Sequence, residues 1–525
     1  MRRLFSDRRH AFKCSNGRIF KYAMRRCADR WTEIVGPKRE STMDELKQTQ
    51  RPAVATQWQA EDLATWTPKR REFLRMLAYG AGSLALGPLI SACSNDASAQ
   101  ASDLRSQLTQ DEAFWAQVQG MFVLKPEKVY MNIGTGGSMP QVVLDTFEQE
   151  NFAKAADSSS GYGNLADLRE AVAKGFGVDR DELAFSANTS SGMCHAILGI
   201  KWEPGDVVVT TNHEHGGGLT PLNIAVDRYG IEVSMIQLPT GNRQSASTYV
   251  QLFDERIRAL KGQGKRVRAM MWSSPTYKTG TMLPIADLME VVKAHGLISI
   301  VDGAHLPGMM AYDYGALGMD FMSGAGHKWQ CGPGSTGILV IRNKMRASNP
   351  LPLPDWFPIH TSSYARQQPR GAYDIAATVT SCGSLHVPMF RALARACEMW
   401  DSIGRKKIET YDLTLSAYLK EKIVERWGID SLYSPKDDPK LVSALTCFNP
   451  FRNRDDAMNQ QKATTFVNRM LSDFSPGFVI RSVNFEVIGA PAQHYGIRIS
   501  THLWHDANDI DRLVDSMWNL SGAMA

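Results

Sequence analysis

Apolar positions along this chain fall into short runs that alternate with helical periods. A polar helical stretch covers 103–120. Val129 then opens a short strand, a glycine-rich turn runs to Pro140, and a helix follows over about 141–156. Leu165, Leu168, Val172 and Phe176 line one side of an amphipathic helix over 164–176. Short β-rich runs come next: Leu183–Ser186, Val207–Thr210, Ala269–Ser273, Ile298–Val301 and Ile338–Ile341. Helical segments such as Ile285–His295 separate several of them. Strand and helix in alternation predict an α/β domain layered around a mainly parallel sheet. After about residue 360 the pattern changes to helices at 386–426, 456–473 and 507–519 with few strands, which predicts a smaller α+β domain. The expected organisation is a leader over 1–100, a large domain over 101–360 and a small C-terminal domain over 361–525.

Length and composition support that scale without adding a function. The chain has 525 residues, 43% of them hydrophobic, enough for a large core and more than one domain. The net charge of +5 is uneven. Residues 1–75 hold 18 Lys and Arg against 9 Asp and Glu, while the remainder is mildly acidic. Nothing in that body suggests nucleic-acid binding.

The basic leader has its own logic. Lys69-Arg70-Arg71-Glu72-Phe73-Leu74-Arg75 precedes Met76–Ala92, an uncharged segment rich in Gly, Ala and Leu. That segment is short and glycine-rich for a membrane span. Paired arginines ahead of an apolar stretch point to a twin-arginine (Tat) export signal, with the Tat translocase as a partner and a periplasmic or exported location. Lys69 stands where the Tat consensus has serine. Two processing sites are open: Ala97-Ser98-Ala99 for cleavage, or a lipobox at Leu89–Cys93 that would anchor the protein through a lipidated Cys93. Met1 and Met43 are both open as the start. Of eight cysteines, five lie beyond the leader, with no metal-ligand spacing and an odd number for a disulfide framework.

Candidate chemistry sits at the ends of the predicted strands. Ser186–Ala196 follows a strand and opens a helix, so Ser190 and Ser191 offer backbone N–H groups and hydroxyls to a phosphate, or a simple helix cap. His213-Glu214-His215 follows the next strand; no third ligand lies nearby and the H-E-x-x-H spacing is absent, so a ring-stacking histidine is preferred to a metal site. Asp302 ends an apolar strand, where a buried carboxylate needs a cationic partner such as a protonated pyridine nitrogen. Lys328 lies in a glycine-rich turn beside apolar walls, placed to lose its proton and act as an amine nucleophile. Arg498, inside a strand-like run, suits a substrate carboxylate or a structural ion pair.

These motifs together resemble the class V aminotransferases, pyridoxal phosphate (PLP) enzymes of fold-type I, over roughly residues 125–515. The most specific are Val301-Asp-Gly-Ala-His305 and Ser323-Gly-Ala-Gly-His-Lys-Trp329 with Gly332-Pro-Gly-Ser-Thr-Gly337. Ser274-Pro275-Thr276 and His327-Lys328-Trp329 draw the likeness toward the isopenicillin N epimerase-like subgroup. The resemblance implies a seven-stranded, mainly parallel sheet and PLP as cofactor. It implies that Lys328 holds PLP as a Schiff base and then shuttles a proton. Asp302 would protonate the pyridine nitrogen, His305 would bond the phenolic oxygen, and His215 would stack on the ring. Ser190, Ser191, Ser323 and His327 would take the phosphate, and Thr276 is placed with the cofactor contacts. Gly383-Ser384 would reach a neighbouring subunit's phosphate, which implies a homodimer. Arg498 would bind the substrate carboxylate.

The departures narrow the chemistry. Ser482–His494, the approach to Arg498, holds no cysteine, which disfavours cysteine desulfuration. Lys278 is a polar wall residue or a substrate contact. The expected activity is PLP chemistry at the α-carbon of an amino acid or of an amino-acid-derived peptide or metabolite, through a Lys328 Schiff base and of the class V aminotransferase kind, with the fate of the reaction open. Epimerisation or C–X lysis is one alternative, and non-catalytic ligand binding on the same fold is another. With its leader, the chain is similar in outline to exported PLP enzymes that tailor siderophores of the pyoverdine type.

Overall fold

Residues buried on both sides of a sheet must be apolar at successive positions, and the central strands are. A computed structural model describes residues 97–160, 165–342, 356–363 and 374–525. Its large sheet comprises β2 (Leu183–Ser186), β3 (Asp206–Thr211), β4 (Glu232–Ile236), β5 (Arg266–Ser273), β6 (Ile298–Gly303), β7 (Phe321–Ala325) and β8 (Gly337–Ile341). The order across the sheet is β2-β8-β7-β6-β5-β3-β4. Neighbours from β7 through β6, β5 and β3 to β4 run parallel, and β8 alone runs against its two neighbours. The mainly parallel seven-stranded sheet is therefore present.

Alternation sends successive side chains to opposite faces. Val207 and Val209 of β3 join the larger core, and Val208 joins the core on the other face. In β5, Met270 and Trp272 point one way while Ala269 and Met271 point the other. Each such side chain contributes about 1.5–3 kcal/mol by leaving water. Helix Ile285–His295 matches its expected span, and a left-handed Gly296 ends it (φ 64°).

Several contacts run between segments far apart in the chain. Strand β1 (Lys128–Tyr130) pairs in parallel with β10 (Gly477–Val479), so the N-terminal segment joins the C-terminal part of the chain. Helix Ala97–Thr109 packs along helix Arg405–Trp427. There Arg105 donates to the Tyr418 hydroxyl at 3.2 Å, and Trp115 stacks on Tyr411 with centroids 3.8 Å apart. Residues 374–403, by contrast, belong with the large sheet. Thr380 Oγ1 accepts from the Phe185 N–H at 3.0 Å, and the buried Arg169 guanidinium holds Asp374 at 2.6 Å. A third sheet, β11 (Arg481–Phe485), β12 (His494–Ser500) and β9 (Leu445–Phe448), is antiparallel in the order β11-β12-β9.

The paired arginines and Cys93 lie outside the described residues. Among the described residues, no helix is long and apolar enough to cross a membrane. All five described cysteines are free thiols.

Candidate active site

In a parallel sheet, the loops that leave the carboxyl ends of the strands meet along one edge, and ligands bind there. Lys328 follows β7, Asp302 lies at the carboxyl end of β6 and His305 just after it, His215 follows β3, and Ser190 and Ser191 follow β2. In the parallel register Asp302 lies beside Ser273 of β5 on one side and Ser323 of β7 on the other.

The lysine loop is tied at several points. Gly326 donates to Thr336 O at 2.9 Å, Gly332 donates to Gly326 O at 2.8 Å, and Gly137 donates to His327 O at 2.8 Å. A Cβ on Gly137 would lie 2.0 Å from the Lys328 carbonyl, so only glycine lets the Asn132–Gly137 turn approach this closely. Cys331 completes the loop in the left-handed region (φ 54°), a conformation that non-glycine residues hold only when surroundings enforce it. Burial lowers the Lys328 pKa to about 8; Asp302 opposes the shift, and Arg498 and Arg481 reinforce it. Near neutrality a fraction of the amine is therefore free to attack.

The groups around Lys328 have assigned protons. Asp302 is buried, and burial raises its pKa although the Ala304 N–H donates to Oδ1 at 3.1 Å. His305 Nδ1 accepts from Trp329 Nε1–H at 3.1 Å. Burial, Lys328 and Arg498 hold the His305 ring neutral, so its proton lies on Nε2. His215 caps helix Gly216–Tyr229, and its Nδ1 accepts from Gly217 N–H at 3.0 Å. Its ring lies edge-on to Tyr277, with centroids 5.0 Å apart, and its face is exposed. Burial lowers the His215 pKa, against the pull of Asp302.

Arg498 reaches this site from β12 of the antiparallel sheet. It is 1% exposed; Nη1 donates to Tyr277 O at 2.7 Å and Nη2 to Asn132 Oδ1 at 3.3 Å. Its Nε is buried without a partner among the described residues. A Cβ on Gly134 would lie 2.6 Å from Arg498 Nη2 and 3.2 Å from His305 Cε1, so both side chains line one turn. Burial and Arg481 lower the Arg498 pKa to about 9, which leaves a cation at neutral pH.

The residues present fit PLP. A buried carboxylate without an ion-pair partner among the described residues awaits a cationic ring nitrogen. A neutral imidazole presents an N–H for an oxygen. The first turn of helix Thr189–Leu198 presents Ser190 and Ser191 to an anion, and Thr189 Oγ1 there is buried with no partner among the described residues. His327 donates Nδ1–H to Thr336 O at 3.1 Å, so Nε2 donates to an anion only when the ring is protonated.

Two expected contacts, Ser323 and Thr276, make other bonds in the structure. Ser323 is fully buried inside β7, and its hydroxyl donates to Thr189 O at 3.0 Å. That bond ties helix Thr189–Leu198 to the sheet. Thr276 is also fully buried; Oγ1 pairs with Thr279 Oγ1 at 3.0 Å and accepts from Thr281 N–H at 3.2 Å. Its hydroxyl bonds within the 276–281 turn. Ser384 is exposed in the segment ahead of helix Val387–Ile403. Lys278 Nζ donates to Asn212 O at 2.9 Å, as a wall residue would. Sequence reasoning passed over Thr189, Tyr277, Asn132 and Arg481. Arg481 stands just before the Ser482–His494 approach to Arg498, and only strand pairing shows that it lies opposite Arg498.

A strand-end lysine, aspartate and histidine pair with an anion-binding helix define a PLP-binding α/β enzyme. The family model for class-V aminotransferases matches residues 138–513, and the chain belongs to that family. Isopenicillin N epimerase of Streptomyces clavuligerus is 24% identical over 431 residues, covering 78% of this chain and 99% of that protein. A probable cysteine desulfurase of Methanothermobacter thermautotrophicus is 23% identical over 368 residues, covering 68% and 84%. Among solved structures, a mutant of C-DES with glycine covalently linked to the PLP cofactor superposes with a TM-score of 0.61 at 20% identity, covering 76% of this chain and 99% of that one. The protein is a PLP-dependent enzyme of this class.

Proposed function

We propose that this enzyme works at the α-carbon of an amino acid or amino-acid-derived substrate, and that its reaction is transamination. The observation that carries the reading is the desolvated Lys328 amine, lowered to about 8, under the opposing charges of the buried Asp302 carboxylate and the Arg498 guanidinium. PLP supplies an electron sink for the charge left when a proton leaves the carbon next to the substrate amine. The chain's own residues do the rest. Lys328 Nζ would hold the cofactor and, once free, would move the proton at the α-carbon. Asp302 would keep a proton on the ring nitrogen. His305 Nε2–H would bond the phenolic oxygen. His215 would cover the ring face. Arg498 holds the α-carboxylate, so the substrate's orientation is set from the opposite side of the cleft from the lysine.

Sulfur transfer is disfavoured by the thiols. No cysteine lies on the β11–β12 hairpin. Cys447 pairs with Arg498 across β9 and β12, but it is fully buried and burial raises its thiol pKa far above the usual range. Cys331 is likewise buried, with its pKa raised. Export through the Tat pathway, a homodimer in which Ser384 reaches the second subunit's cofactor, and a peptide or secondary-metabolite substrate complete the reading. The leader and the exposure of Ser384 support it. Fractionating cells that express Arg70→Lys/Arg71→Lys tests export, since unchanged location would end that part.

The test of the chemistry is the absorbance spectrum of PLP-loaded protein, with Lys328→Ala beside it, before and after adding a panel of amino acids. The wild type should show the visible band of lysine-bound cofactor and the variant should not. A substrate that converts this band to that of the aminated cofactor establishes transamination. A band that returns unchanged while product accumulates replaces it with epimerisation or lysis. Absence of any band with PLP supplied overturns the reading.

A further inference from the structure

Arg481 and Arg498 are direct partners in the antiparallel pairing of β11 and β12, so their side chains leave the same face of the sheet. Like charges in that relation repel, and strands avoid it unless an anion lies between. No carboxylate compensates them: among the described residues neither forms an ion pair. Arg498 is bound by the neutral oxygens of Tyr277 and Asn132 with Nε unpartnered. Arg481 reaches only Thr135 Oγ1 and Ser482 O, at 3.4 and 3.5 Å. Thr135 itself donates to Asn132 Oδ1 at 3.1 Å, so both arginines close on the one glycine-rich turn that lines the cleft. Arg498 is buried and Arg481 half-buried, which places Arg481 on the solvent side of the pair.

We infer that the pair reads two anionic groups of one substrate: Arg498 the α-carboxylate, and Arg481 a second acidic group farther along the side chain. The substrate class is thus a dicarboxylic amino acid, or a molecule ending in one. The inference rests on Arg498 taking the α-carboxylate. A single carboxylate shared by both forks would satisfy the same charges but would give no preference for a second acid, which separates the two arrangements by measurement.

The experiment uses the PLP-loaded enzyme and unreactive acids without an amine: glutarate and succinate against butyrate, titrated by calorimetry. Wild type should bind glutarate or succinate about tenfold to a hundredfold more tightly than butyrate, as one charge-assisted guanidinium–carboxylate contact provides. Arg481→Gln should abolish that margin and leave butyrate affinity within about twofold. Arg481→Lys, which keeps the charge and loses the fork, should fall between. The inference is overturned if wild type shows no margin, or if Arg481→Gln weakens butyrate as much as glutarate. Arg498→Gln tests the underlying reading separately: it should weaken all three acids together while the cofactor band persists. If it leaves them unchanged, Arg498 does not bind the carboxylate, whatever Arg481 does. The wild-type comparison needs no variant, so a poorly folding substitution leaves the result decisive.

Discussion

Asp412→Asn probes the support beneath the catalytic lysine. His502 and Asp412 are both fully buried, with Nδ1 3.0 Å from Oδ2. Nε2 of the same ring lies 2.9 Å from the carbonyl of Trp329, the residue after Lys328. A carboxylate and a carbonyl only accept, so both ring N–H groups donate and His502 is a cation. Burial works against that charge, but Asp412, with Cys331, raises the His502 pKa to about 10. Removing one charge of a buried pair costs about 3–5 kcal/mol, because the other is left uncompensated. Asparagine keeps an oxygen for Nδ1–H, so the low end applies, about 3 kcal/mol. At roughly 2 °C per kcal/mol for a long chain, Tm at pH 7 should fall by about 6 °C. The pH dependence has a definite sign. A histidine whose folded pKa is raised stabilises fully below its unfolded value of 6.5, and that contribution disappears as pH rises through about 10. Wild-type Tm should therefore decline between those limits more steeply than the variant's, and the difference cancels groups common to both. Calorimetric melting of the PLP-loaded proteins from pH 6 to 10 measures it. A Tm at pH 7 within about 1 °C of wild type, or a gap that does not shrink toward pH 10, would refute the argument.

Lys328 should react as a weakly basic amine. Apoprotein mixed with PLP should form the lysine-bound band at a rate that rises with pH to a half-maximum near 8, because only the neutral amine attacks; a half-maximum near 10.5 would show no desolvation. Gly192→Ala places a methyl 2.1 Å from Ser323 Oγ and 2.9 Å from its Cβ. Such overpacking costs about 1–3 kcal/mol and lifts the phosphate-facing helix from the sheet, so Tm should drop and PLP should be lost faster on dialysis. Unchanged retention would mean that Ser323 does not seat that helix.

Strands buried on both faces left a clear mark in the sequence, because β2, β3, β6 and β8 are buried along their whole length and most of their positions are apolar. β4 left little: its pattern of exposed Glu232 and Met235 is that of an edge. β7 was masked by its own chemistry, since Ser323 and Gly324 read as part of the lysine turn. Helix 386–426 divides at Gly404, which adopts φ 99°. The cofactor side of the site was legible because its residues sit at fixed distances along the chain from strand ends. The substrate side was not. Arg481 faces Arg498 only through pairing across a hairpin. The Asp412–His502 support joins residues 90 positions apart. Thr276 was placed by the resemblance alone; that its hydroxyl bonds to Thr279 and Thr281 within its own turn is visible only in the structure.

The two halves of the site rest on different sheets, and that has a catalytic consequence. Lys328, Asp302, His305 and His215 hang from the parallel sheet, whereas Arg498 and Arg481 belong to the antiparallel one. The distance between Lys328 and Arg498 is therefore not fixed by any one strand. It is set through the Tyr277 carbonyl, which accepts from Arg498 Nη1, and through the Asn132–Gly137 turn, where Gly137 N–H binds His327 O and Asn132 Oδ1 binds Arg498. This turn leaves β1, which is itself paired to β10. On the proposed roles, a displacement of the turn would move the carboxylate-binding arginine relative to Lys328. Since an error near 1 Å in such alignment can cost about a hundredfold in rate, the close approach at Gly134 and Gly137 is a kinetic requirement as much as a packing one.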